Sequence, residues 1–252
     1  MARSINYQDH GDSISRVAAI LSDPEYGFAR HRFDPALSTP FMPQPDGNRR
    51  SSIVLADETS IELGSSANRS VSMLLWTSDV DKVPEGIWVA GNDFNRAKSA
   101  SVSYAQCVIC ALGEKADPMD PRLVGLKNLT NRIPGFMTRS LPGKLWIRIG
   151  HDLIRRGFSA SLLGQCLYDA HREYSPDILK ISVIVAVENP LILELLEAIA
   201  ADARTISATN TRRRLEQNND FSCDELNCDA CGERAACDTL RDVVIRRRLD
   251  VR

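Results

Sequence analysis

The chain has no surplus of positive charge: 31 Lys and Arg stand against 33 Asp and Glu, a formal net charge of -2 at pH 7. Proteins that work mainly by holding nucleic acid show a clear basic excess, so nucleic acid is not an expected partner. Apolar runs are short, none approaching the ~20 residues that cross a bilayer, and no membrane partner is expected either. Histidine is scarce and scattered, at His10, His31, His151 and His171. No Ser-His-Asp set, phosphate-binding loop or glycine-rich dinucleotide turn accompanies these residues, so the chain is not expected to be catalytic on its own. Residues 1–21 mix acidic and basic side chains around a short apolar patch and do not read as an export signal. A cytoplasmic, reducing location follows as an expectation, and there structural disulfides are not expected.

Cysteine is sparse as well, yet four of the seven crowd into one stretch. Cys223, Cys228, Cys231 and Cys237 have the spacing C-x4-C-x2-C-x5-C, in a polar loop with Gly232 inside it and little apolar material to bury. Such a loop folds around something other than itself, and closely spaced thiolates converge on a metal centre. Structural zinc usually takes two knuckles separated by a dozen or more residues. Here there is one C-x2-C with a cysteine on either flank, which fits a [4Fe-4S] cubane wrapped by a single loop, with zinc as the alternative. The remaining cysteines are read differently. Cys107 and Cys110 are three residues apart in an apolar, strand-like run, so they point to opposite faces and cannot share an ion. They and Cys166 are expected in the core as small hydrophobes.

The rest of the pattern is α+β: a mixed sheet with flanking helices, plus a small C-terminal cysteine-rich metal-binding loop and helix. Residues 13–21 read as an amphipathic helix with Asp12 as N-cap. In residues 33–50, Pro35, Pro40, Pro43 and Pro45 precede Gly47 and Asn48, predicting a linker or an arm that wraps a neighbour. Strands are predicted at 53–55, 61–63, 71–76 and 102–112, with a short apolar segment after the Val83-Pro84-Glu85-Gly86 turn. Further strands fall at 144–149 and 179–187. Helices are predicted at 151–156, from Ser159 to about 174, from the Asn189-Pro190 pair to about 204, and at 238–249. The expected organisation is an N-terminal helix and extended arm (1–50), an α+β domain (51–204) and a C-terminal iron-sulfur segment holding the four clustered cysteines (205–252). Basic clusters at Arg212–Arg214 and Arg246–Arg248 flank the cysteine loop and read as solvated helix faces or as a docking surface for an acidic partner.

A second constellation lies mid-chain. Lys144, Trp146 and Arg148 alternate with Leu145, Ile147 and Ile149, so the aliphatics face the core and the other three share the opposite face, with Arg139 just upstream. An indole flanked by cations fits a nucleotide-like ligand, through stacking and phosphate pairing. The same pattern also fits a solvent-side strand face on which a guanidinium packs over the indole.

Over roughly residues 61–204 the chain resembles the carbon monoxide dehydrogenase/acetyl-CoA synthase β-type subunit family, in its middle domain. The resemblance rests on Glu62-Leu63-Gly64 followed by Asn68 and Arg69, on Val83-Pro84-Glu85-Gly86, and on residues 135–148 leading into Arg155-Arg156-Gly157-Phe158. It implies a coenzyme A site on the segment holding Arg139, Trp146 and Arg148, with Met137 where the family has a further tryptophan. The cysteine loop does not match that family's nickel-iron-sulfur motif, so synthase chemistry is not carried over. Two functions stay open. One is an iron-sulfur subunit or accessory protein of a larger oxygen-sensitive metalloenzyme or redox complex, serving electron transfer, docking or metal-centre assembly. The other is a coenzyme A or acyl-CoA binding module with a structural cluster.

Overall fold

The computed structural model describes residues 7–41, 53–65, 67–129, 133–141 and 144–217. The chain divides into two compact units, Gln8–Ala208 and a second made of Met1–Tyr7 with Thr209–Arg252. The first unit is built on two mixed sheets with helices, the α+β class expected from the sequence.

The larger sheet has the order β1-β4-β9-β6-β3, formed by β1 (Ala29–His31), β3 (Ser70–Thr77), β4 (Gly86–Gly91), β6 (Tyr104–Leu112) and β9 (Ile178–Val187). β4 runs parallel to β9 and β3 parallel to β6, while β6 and β9 are antiparallel. Every residue of β6 is buried, as expected of a central strand covered on both sides. On one face, Cys107, Ile109, Ile184 and Ala186 pack with α1 (Gly11–Ser22) and α6 (Pro190–Gln217). Helix α1 supplies Ile14, Val17 and Leu21, one turn apart along a single stripe. On the other face α5 (Ala160–Tyr174) lies against β9 and β4. Gly164 approaches so closely that an added Cβ would sit 2.5 Å from Ile87 Cγ2.

The smaller sheet has the order β5-β2-β8-β7, from β2 (Thr59–Leu63), β5 (Ser101–Val102), β7 (Phe136–Leu141) and β8 (Lys144–Gly150). Ile61, Leu63, Leu145, Ile147 and Ile149 are all buried, so the period-two reading of β8 holds. The chain passes from β2 in this sheet to β3 in the other through Gly64, which has φ 66° and whose missing Cβ leaves room for the Leu145 carbonyl and Ser70. Ser70 Oγ accepts from Leu145 N at 3.1 Å, joining the sheets at that point. Three short helices complete the unit: α2 (Pro35–Ser38), α3 (Pro121–Leu126) and α4 (His151–Arg155).

Several elements differ from the sequence reading. Residues 53–55 form no strand: Ile53 and Leu55 are exposed and only Val54 is buried, because this segment has no strand partner. Residues 8–41, expected to stand apart as a helix and arm, lie in the same compact unit as the sheets. The part of the arm up to Phe41 is strapped down rather than extended. Gln165 accepts from Asp34 N and donates to the Arg32 carbonyl, Phe33 stacks on Tyr168 at 4.5 Å, and Arg156 lies over Phe41. Helix α6 continues past 204 to Gln217, since no glycine or proline interrupts residues 191–217. Residues 42–50 of the arm and the helix expected at 238–249 lie outside the described residues. Among the described residues no helix is long and apolar enough to cross a membrane.

Candidate functional site

Strands β7 and β8 form an antiparallel hairpin whose register places Arg139 opposite Trp146 and Met137 opposite Arg148. On the other flank of β8, Arg148 lies opposite Glu62 of β2. Arg139, Trp146 and Arg148 are thus brought to one patch of the small sheet, as the alternation predicted; Lys144 falls at the hairpin end, paired in register with Leu141.

The patch satisfies much of its own chemistry. Arg148 Nε donates to Glu62 Oε1 at 2.7 Å, and its guanidinium carbon sits 4.7 Å from the Trp146 ring centroid. Its Nη1 also donates to the Val54 carbonyl at 3.4 Å, which ties residues 53–55 to the sheet. Both members of the Arg148–Glu62 pair keep about a fifth of their side-chain surface in solvent (22% and 23%). This is the cation-π packing that the sequence left open as the alternative to a ligand site. Trp146 is half-buried, and its Nε1 is buried with no hydrogen-bond partner among the described residues. Arg139 is exposed. Sequence reasoning missed Glu62 as the partner, because it comes from a strand 86 positions away and has no local signature.

The cysteines separate into two groups. Cys107, Cys110 and Cys166 are unpaired and buried, with Cys107 on the α1/α6 face of β6 and Cys110 on the opposite one. Burial pushes all three thiols up, Cys110 and Cys166 to about 12, so at neutral pH they are protonated and poor metal ligands. Cys223, Cys228, Cys231 and Cys237 lie outside the described residues. Among the described residues no group of three or more His, Cys, Asp or Glu side chains is placed to hold a metal ion.

One further feature has no counterpart in the sequence reading. A cavity of about 840 Å³ opens between the loop after β6, helix α3 and the end of α5. Asp120 caps α3 and accepts from Arg122 N at 2.8 Å, Arg122 Nη2 at 2.9 Å and the Tyr174 hydroxyl. The Arg122 hydrogen bond, helped by that from Tyr174 and opposed by burial, holds the Asp120 carboxyl down to about 2. Neither the helix start at Asp120-Pro121 nor the arrival of Tyr174 from α5 was part of the sequence reading.

No model of a known protein family matches the chain, and no curated protein matches it.

Proposed function

We propose that the chain is an iron-sulfur protein, binding a [4Fe-4S] cluster through Cys223, Cys228, Cys231 and Cys237 and serving as a subunit or accessory protein of a larger oxygen-sensitive metalloenzyme. The observation that carries this reading is the C-x4-C-x2-C-x5-C spacing in one polar loop. The donor set suits the group: four thiols on a short loop meet the four-thiolate demand of a cubane, and a tetrahedral zinc ion is the competing occupant. Burial of Cys107, Cys110 and Cys166 supports the assignment, because it makes those three thiols poor metal ligands. A bound cluster would supply one-electron transfer or a structural centre. The test is anaerobic purification from the native source, followed by identification of co-purifying proteins and reduction by dithionite. Visible absorbance that bleaches and returns, with a metalloenzyme co-purifying, supports the reading; a colourless monomer in fresh extract overturns it.

A second reading, a coenzyme A or acyl-CoA module, is favoured by one observation: exposed Arg139 stands directly across from half-buried Trp146. Arg148 contributes less than the sequence suggested, since a phosphate would compete with Glu62 for it. If coenzyme A binds here, Trp146 fluorescence responds and Arg139→Ala weakens affinity by about tenfold. Absence of binding at millimolar coenzyme A retires this reading.

A further inference from the structure

The cavity between α3 and the end of α5 is far from empty of chemistry. Its volume, about 840 Å³, is in the range of small-molecule sites. Leu126 and Leu129 are buried side chains of its wall, and Gly125 leaves that wall open: a Cβ added there would meet nothing within 4 Å. Two cations line it, Lys115 and Arg122.

Arg122 is held in an unusual way for a surface arginine. Its side chain is 83% exposed, yet Nε and Nη2 both donate to Asp120 and its guanidinium carbon lies 5.8 Å from the Tyr174 ring centroid. These contacts already restrict much of the rotamer freedom that a free arginine side chain carries. Nη1 takes no part in the Asp120 contacts. The carboxylates nearby are occupied: Asp120 by Arg122 and Tyr174, Asp117 in part by Met119 N at 2.9 Å. Among the described residues no acidic side chain forms an ion pair with Lys115.

We propose that this cavity binds a small organic anion, its phosphate or carboxylate held by Arg122 and Lys115 and its apolar body resting on Leu126 and Leu129. The pre-positioned guanidinium supplies orientation, the lysine a second charge, and the leucines select against a bare inorganic ion. The site shares no residue with the hairpin patch or with Cys223, Cys228, Cys231 and Cys237, so it stands or falls independently of the iron-sulfur reading.

The test is calorimetric titration of the full chain with phenyl phosphate and benzoate, against inorganic phosphate and benzyl alcohol as controls. At least one aromatic anion is expected to bind at millimolar concentration or below, with the alcohol silent and inorganic phosphate about tenfold weaker. Arg122→Gln and Lys115→Gln should each weaken binding about fivefold or more. Gly125→Trp should abolish it while keeping the melting temperature, since the new side chain grows into open space and a helical glycine is removed. Silence with both aromatic anions overturns the proposal. So does equal binding of the alcohol or of inorganic phosphate, or binding unchanged in the Lys115→Gln, Arg122→Gln double variant.

Discussion

His10 shows how much a single side chain can fasten. It is buried, and it closes the outer edge of β3: its backbone N donates to the Trp76 carbonyl at 2.9 Å, and its Nδ1 accepts from Trp76 N at 3.3 Å. The imidazole thus stands in for the missing neighbour strand, which an unpaired edge requires. Burial lowers its pKa, with the Trp76 and Ala203 backbone and Asp9 pulling weakly the other way. The linkage follows: the folded chain keeps His10 neutral to a lower pH than the unfolded chain, whose histidine protonates near 6.5. Below that value the unfolded state binds the extra proton, so stability is full above about pH 6.5 and falls as pH drops toward the folded pKa. Urea denaturation at about pH 7.5 and pH 5.5 should show this loss, and it should shrink in His10→Gln. An identical pH dependence in both proteins would contradict the edge-clamp role. At the hairpin patch, Arg148→Ala should cost about 1–2 kcal/mol by stranding half-buried Glu62, whereas exposed Arg139→Ala should leave stability nearly unchanged. Paired urea melts of the two variants check both statements.

At the scale of elements, the sequence was most informative where one local rule decided the outcome. Ser159 caps α5 by accepting from Leu162 N at 3.2 Å, and Asn189 caps α6 by accepting from Ile192 N at 3.1 Å, both as read from the cap residues. The strands at 61–63, 71–76, 144–149 and 179–187 were legible from apolar runs or period-two alternation, whereas the run read as one strand at 102–112 is divided between β5 of the smaller sheet and β6 of the larger one. What escaped was docking by distant side chains. Residues 33–41 look like a linker because Gln165, Tyr168, Arg156 and Arg172, which hold them, come more than a hundred positions later. The close seat of α5 on β4 was equally invisible, and it yields a sharp expectation. Gly164→Val drives a side chain into Ile87 and should cost about 1–3 kcal/mol, with part of the loss recovered when Ile87→Ala is added. A double-mutant cycle measures the coupling; simple additivity would mean α5 can shift without penalty. Deleting residues 1–50 is not a mild operation either. It removes Ile14, Val17 and Leu21 from the core, each worth about 1.5–3 kcal/mol of burial against a typical total of about 5–15 kcal/mol. The truncated chain should show no cooperative thermal transition by circular dichroism.

For the whole molecule, fold and function are written in different places. The two-sheet unit is explained by its own packing, and its three cysteines belong to that packing, as their burial shows. The cysteine loop is legible only as a spacing, on which the proposed cluster rests and from which the surface against which a cluster would work cannot be read. Substitution should separate the two roles. Cys107→Ser and Cys166→Ser put a hydroxyl into apolar surroundings and should lower the melting temperature while leaving metal content intact. Cys228→Ser should strip most of the metal and leave the melting of the sheet unit unchanged. The most direct measurement is iron, acid-labile sulfide and zinc on the anaerobically purified full-length chain. The expected result is about four iron and four sulfide per chain, as one cubane requires. About one zinc per chain, with no sulfide and no visible absorbance, would contradict the iron-sulfur assignment.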